Sequence, residues 1–180
     1  ETKLKNKVLY KFASLIKKNK SKILIQNKKD VNFSKKRNLK ENLINRLKLN
    51  DYKINEIFRS INIIAKLKDP VDMTLAKWKR PNGLIIKKTT TPLGVIGVIY
   101  ESRPNVTSDV SCLCFKSGNC VILRGGSEAY FTNKILVNLF RKALKDCKID
   151  QNYVQFIENK NRKLVDFILS KMKKYIDIII

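Results

Sequence analysis

The sequence predicts an α/β protein, a parallel sheet preceded by helices and a β-hairpin arm. Three patterns carry this reading. The first third repeats apolar residues at helical spacing among lysines, Pro81-Asn82-Gly83 interrupts a run of β-formers, and from Pro92 onward short apolar runs alternate with helical stretches. A βαβαβαβ order implies parallel strands, because each return to the sheet needs a crossover long enough to hold a helix, and those helices cover the sheet.

Residues 3 to 25 place Leu4, Val8, Phe12, Leu15 and Ile16 on one stripe, as a helix with one buried face does. A second helix is expected over residues 37 to 48, after Ser34 as candidate cap, with Leu39, Leu43, Ile44 and Leu47 inward. A third runs from Asp51 to Leu67 and is ended by Asp69-Pro70, since the residue before a proline is pushed out of the helical region. Residues 1 to 77 are thus amino-terminal helices that pack on the remainder, with no chemistry visible in them. Residues 78 to 91, "WKRPNGLIIKKTTT", form a hairpin arm able to pair with another chain, a candidate oligomerisation element. Residues 92 to 180 supply the sheet. The strand "LGVIGVIY" is followed by a helix over 107 to 117, "CVILR" by a helix over 128 to 145, "YVQFI" by a helix over 161 to 173, and "YIDIII" comes last. The chain opens on Glu1 instead of Met and stops inside an apolar strand, both expected of a piece of a longer polypeptide.

Lys and Arg number 39 against 15 acids, a net charge of +24, which raises nucleic acid or an anionic surface as a partner. Most of the excess is lysine, spread along the chain with abundant Asn and Ile, as drift in an AT-rich genome produces. No basic run is interleaved with aromatics as a stacking platform requires, so a nucleic-acid partner is not favoured. There is no histidine, and Cys112, Cys114, Cys120 and Cys147 lack the spacing of paired zinc knuckles, so no metal site is expected. They read as buried thiols of a cytoplasmic protein. The chain opens on no signal peptide, and its apolar runs are too short to span a bilayer.

Ligands of parallel sheets gather at the carboxyl ends of the strands. In "CVILRGGSEA" a buried strand delivers Arg124 to such an end, Gly125 and Gly126 admit a ligand close to the backbone, and Ser127 stands where it can cap the next helix. Helix N–H groups and a guanidinium would then converge on one anion, such as a nucleotide phosphate. The plainer reading of Gly-Gly is a tight strand-to-helix turn. The first strand is followed by Glu101, Ser102, Arg103, Pro104 and Asn105, so Arg103 and Asn105 should look into the same crevice as Arg124. Asn105 can donate to an oxyanion without titrating, or it caps the following helix, a role for which Thr107 competes.

"PLGVIGVIYESRPNVT" and "KSGNCVILRGGSEA" closely resemble the bacterial gamma-glutamyl phosphate reductases of the aldehyde dehydrogenase superfamily, and the resemblance extends through "RPNGLIIKK" and "DPV" to "YIDIII". It implies an aldehyde-dehydrogenase-like, Rossmann-like domain over residues 92 to 180. It implies NADPH-dependent reduction of L-glutamate 5-phosphate to glutamate 5-semialdehyde with release of phosphate, in proline biosynthesis. In that chemistry a cysteine displaces phosphate to form a thioester, and hydride from the nicotinamide reduces it. Asn105 resembles the family's oxyanion-stabilising Asn, and Arg124 the basic residue beside the adenosine ribose. Ser127 falls where NAD-preferring relatives tend to have Glu, and its small side chain leaves room for a 2'-phosphate. The family's nucleophilic Cys lies in a separate catalytic domain beyond the last strand, and none of these four cysteines sits in its motif. The glycine-rich loop expected after that strand is absent too. The resemblance therefore implies the amino-terminal portion of a homo-oligomeric enzyme, unable to turn over alone. A catalytically inactive nucleotide-binding fragment and a basic nucleic-acid binder are the alternatives.

Overall fold

The computed structural model describes residues 1–161 and 163–180. Four helices come first: α1 (Thr2–Lys18), α2 (Lys20–Lys36), α3 (Glu41–Leu47) and α4 (Asp51–Lys66). An antiparallel hairpin follows, β1 (Thr74–Lys79) and β2 (Ile85–Thr89), with Trp78 opposite Ile86. The remainder alternates: β3 (Val95–Tyr100), α5 (Pro104–Lys116), β4 (Cys120–Gly125), α6 (Tyr130–Asp146), β5 (Val154–Phe156), α7 (Lys163–Lys171) and β6 (Ile178–Ile179). The four strands form a parallel sheet in the order β5-β4-β3-β6, the predicted α/β class.

Four boundaries differ from the sequence reading, three of them for a visible local reason. The single helix expected over residues 3 to 25 is two, because Asn19 breaks it. The Asn19 side chain donates to the Leu15 carbonyl at 2.8 Å, which competes with the helical ladder. Leu4 lies outside the core, which begins with Val8 and Leu9. The helix expected over 37 to 48 is only α3, and Ser34 does not cap it but sits buried within α2. Asn38, at φ 54°, ends α2 in the left-handed conformation, with Leu39 N–H on the Ser34 carbonyl and Asn38 N–H on the Lys35 carbonyl. That is a Schellman closure, for which Asn substitutes for Gly. Gly118, at φ 77°, closes α5 in the same way on Cys114 and Phe115. Finally α5 starts at Pro104 instead of residue 107, because proline's missing N–H costs nothing in a first helical turn. The hairpin begins earlier than expected, at Thr74, and every residue of β1 is exposed. The expected helix over 161 to 173 is seen as α7, and position 162 lies outside the described residues.

One apolar core joins helices and sheet. Phe12 of α1 meets Phe140 of α6 with ring centroids 4.7 Å apart, and Phe115 of α5 meets Phe140 edge-on at 5.8 Å. The polar side of α2 is also buried and anchors the rest. Asn27 donates to the Leu47 carbonyl at 2.9 Å and accepts from Leu49 N–H at 2.8 Å, holding the turn between α3 and α4. Asp30 accepts from Phe131 N–H at 3.1 Å, Thr132 N–H at 2.7 Å and the Thr132 hydroxyl at 2.6 Å, so α2 supplies the cap of α6.

Asp30→Ala should therefore cost about 1–3 kcal/mol in urea denaturation, the usual penalty for stranding buried donors. Burial pushes the Asp30 carboxyl above its ordinary value of 3.8, against the lowering effect of its bonds from Thr132 and Phe131. An acid with a raised folded-state pKa contributes stability that is complete below the unfolded pKa and lost as pH rises through the folded one. The stability of the wild-type chain relative to Asp30→Asn should accordingly decline as pH is raised from about 4.

Candidate functional site

Strands β3 and β4 end side by side, with Ile99 opposite Arg124 and Tyr100 opposite Gly125. From those ends the chain leaves through Glu101, Ser102 and Arg103 into α5, and through Gly126 and a 3-10 turn, Ser127–Ala129, into α6. Between these loops, the α3 region and Val165 of α7 lies a cleft of about 640 Å³. Of the residues singled out from sequence, Glu101, Ser102, Arg103, Arg124, Gly126 and Ser127 line it. Gly125 is packed behind it, where a Cβ would collide with Asn133 Nδ2 and meet the Tyr100 ring at 3.0 Å.

Asn105 does not share this cleft. Because α5 begins at Pro104, Asn105 already lies in its first turn and lines a second hollow of about 330 Å³ with Ser60, Glu56 and Asp109. Its amide donates to Asp109 Oδ2 at 3.4 Å, and the Ser60 hydroxyl donates to the other Asp109 oxygen at 2.7 Å. Neither Asn105 nor Thr107 caps α5. The Thr107 hydroxyl is instead buried between the Tyr100 hydroxyl, at 2.7 Å, and Asn133 Oδ1, at 2.8 Å. Burial pushes the Tyr100 hydroxyl well above its ordinary value, so it stays protonated in that chain. Arg46 of α3 lines both hollows and stands 3.8 Å from Glu101.

The sequence also suggested free N–H groups at the start of the helix after β4. Those of Phe131 and Thr132 are not free, since Asp30 occupies them, and a carboxylate there repels a second anion. Ser127 donates to Glu128 Oε1 at 3.0 Å instead of capping, while Ser102 donates to Glu128 Oε2 at 2.9 Å. The cleft's positive charge therefore rests on guanidinium groups. Arg124 is the buried one, 6% exposed. It donates through Nη2 to the Lys160 carbonyl at 3.2 Å and through Nη1 to the Gly125 carbonyl, while its Nε has no protein partner. The hydrogen bonds that orient this guanidinium run to neutral carbonyls, its Nε is buried without a partner, and its exposed edge lines the cleft.

The cysteines stand apart from this geometry, as none lines either hollow. Burial raises the Cys112 thiol well above its ordinary value and Cys114 to about 11, and it raises Cys120 too, the opposite of what activates a nucleophile. Among the described residues, no cluster of three or more His, Cys, Asp or Glu gathers to hold a metal, and no helix is long and apolar enough to cross a membrane.

No family model matches the chain. The gamma-glutamyl phosphate reductase of Clostridium tetani is 41% identical over 180 residues, all of this chain and 42% of that protein. That of Petrotoga mobilis is 46% identical over 162 residues, 90% of this chain and 39% of that protein. The crystal structure of the Thermotoga maritima enzyme superposes with a TM-score of 0.96 at 41% identity, covering 99% of this chain and 43% of that one. This chain is related to the gamma-glutamyl phosphate reductases. It spans about two-fifths of the length of the curated relatives it matches, 42% of the Clostridium tetani protein. The Saccharomyces cerevisiae gamma-glutamyl phosphate reductase structure matches at 29% identity with a TM-score of 0.91. A propionaldehyde dehydrogenase of Clostridium phytofermentans, 14% identical with a TM-score of 0.70, shares the fold, so the aldehyde-dehydrogenase-like architecture stands.

The packing behind the cleft yields a test. Gly125→Ala would drive a methyl group into Asn133 and Tyr100, both locked in the buried hydroxyl chain, and should cost about 1–3 kcal/mol in thermal or urea unfolding. Gly126→Ala meets the side-chain tips of Ser102 and Glu128 at 2.7 and 2.8 Å and the Ser102 main-chain nitrogen at 3.3 Å, and should cost less because the two tips can swing away.

Proposed function

We propose that the chain is the amino-terminal, cofactor-binding portion of a cytoplasmic reductase that uses NADPH to convert L-glutamate 5-phosphate to glutamate 5-semialdehyde and phosphate in proline biosynthesis. The observation that carries this reading is the buried Arg124, lining the cleft with its Nε unpartnered, at the carboxyl end of β4 beside β3 in a chain similar throughout its length to gamma-glutamyl phosphate reductases. The residues fit a nicotinamide dinucleotide. Gly126 brings backbone to the cleft without a side chain, Ser127 is small, and Arg124 offers a charge to a 2'-phosphate. When bound, the cofactor supplies the hydride.

The remaining roles follow from position. Arg103 and Arg46 offer charge to phosphate groups, with Ser102 beside them in the cleft, and Glu101 holds Arg46. Asn105, in the adjoining hollow, presents an amide that donates to an oxyanion, and Arg46 stands where the two hollows meet. The nucleophilic thiol comes from sequence outside these residues, because none of the four cysteines lines either hollow and burial raises Cys112, Cys114 and Cys120. Alone, the chain binds nucleotide without turning over substrate. The exposed hairpin of β1 and β2 serves as an arm for assembly of a homo-oligomer.

NADPH and NADH titrations of the chain test the cofactor assignment. Arg124→Ala should weaken NADPH binding by roughly 1.5–3 kcal/mol, the range for a charge-assisted hydrogen bond, and NADH binding by less. Equal losses would remove Arg124 from the 2'-phosphate. A random DNA duplex bound with a steep salt dependence, beside indifference to NADPH, would favour the nucleic-acid reading instead.

Asn105 requires a polypeptide of the relatives' full length that carries this chain. There Asn105→Ala should lower kcat about a hundredfold while leaving NADPH affinity nearly intact, since an oxyanion donor acts on the transition state. Normal turnover would leave Asn105 a structural residue of α5.

A further inference from the structure

The loop after β5 reaches the cleft through Arg124, whose Nη2 donates to the Lys160 carbonyl. It leaves the sheet with Ile157 N–H on the Leu123 carbonyl at 2.9 Å, and two residues then fasten it to the start of α6. Glu158 accepts from Lys134 at 2.7 Å, in an exposed pair of the kind that contributes little. Lys160 is held differently. Its ammonium stands 4.2 Å from the ring centroid of Tyr130, 4.9 Å from Phe131 and 5.5 Å from Phe33, so three aromatic faces surround one cation. Those rings belong to α6 and α2, the helices that Asp30 joins. At its other end Lys160 offers its main-chain carbonyl to Arg124 Nη2.

We propose that Lys160 is a positioning residue of the cleft: the aromatic cage fixes its ammonium so that its carbonyl orients the Arg124 guanidinium toward a phosphate-bearing ligand. The choice of acceptor gives the device its point. A carboxylate would orient Arg124 equally well but would neutralise it, whereas a carbonyl orients the group and leaves its charge to the ligand. A cation in place of an apolar side chain is required because the cage binds charge through the ring faces, which fixes the loop at a defined distance from α6. The inference rests on the nucleotide reading of the cleft given above, and the test separates the two.

The chain is examined as wild type, Lys160→Gln, Lys160→Arg and Tyr130→Leu. NADPH affinity is measured by fluorescence titration, and the Arg124 Nε–Hε resonance by NMR without nucleotide. Lys160→Gln should raise the Kd for NADPH roughly tenfold and shift or broaden the Arg124 resonance, and Lys160→Arg, which keeps a cation for the cage, should restore both. Tyr130→Leu keeps the Lys160 charge but removes the nearest ring, and should weaken NADPH binding in the same direction. Loss of affinity in Lys160→Gln with none in Tyr130→Leu would reduce Lys160 to a distant charge and overturn the proposal. So would an Arg124 resonance unmoved in both variants. If the wild-type chain does not bind NADPH, the nucleotide reading falls, and the Arg124 resonance alone decides the positioning role: a shift in both variants sustains it, and no shift ends it.

Discussion

The carboxylate of Asp30 is the constraint on which the rest of the architecture depends. Buried in α2, it accepts two main-chain N–H groups at the start of α6 and so joins the amino-terminal helices to the strand-to-helix loop that forms the cleft. Without it, donors in the first turn of α6 would be stranded among apolar side chains, at a cost that propensity and packing do not recover. It also determines how an anion can be held there. Parallel sheets commonly offer the helix N-terminus itself to a phosphate, but that position is taken, and the charge comes from arginine instead.

Because the helix end is closed, the geometry around Arg124 carries more weight. The guanidinium is oriented by the carbonyls of Lys160 and Gly125, and those carbonyls are fixed by what lies behind them. Gly125 backs onto the chain Tyr100, Thr107 and Asn133, which ties the end of β3, the first turns of α5 and the first turn of α6 into one buried hydrogen-bonded unit. A neutral network suits this place, since an added carboxylate would compete with any phosphate for the same arginine.

The fold class, the parallel sheet, the hairpin and part of the main cleft's lining, Glu101 to Arg103 with Arg124, Gly126 and Ser127, were legible in the sequence, because each rests on a short-range signal. Apolar runs of strand length, Pro81-Asn82-Gly83 and the Arg-Gly-Gly-Ser turn are local chemistry. What escaped notice depends on contacts between distant segments. Asn19 as a helix break can be rationalised from its amide, yet Asn also occurs inside helices, and only packing chooses. Asp30 reads as one more charge on a solvated helix until α6 is seen to lie against it. Arg46 and Lys160 are two of 39 basic residues, and nothing in their neighbours distinguishes them. Glu128 was adjacent to the recognised turn, and its spacing to Ser102 becomes meaningful only when β3 and β4 end together. Asn105 lies in the second hollow and not the main cleft for a smaller reason, a helix that starts three residues earlier than its apolar pattern.

The net charge of +24 takes on a different meaning beside this geometry. Among the described residues, the main cleft is lined by Arg46, Arg103 and Arg124 and by Glu101 and Glu128, so both signs of charge meet there. The basic excess is spread over exposed helix faces, where salt screens it within about 10 Å at moderate ionic strength. Such a field draws anions toward the whole molecule without choosing among them. Choice requires a cation that water does not screen and that its own protein does not neutralise, and Arg124 meets both conditions. On the proposed nucleotide reading, selectivity for a particular phosphate would be a property of one buried side chain and the carbonyls that aim it, largely independent of the lysines that dominate the composition.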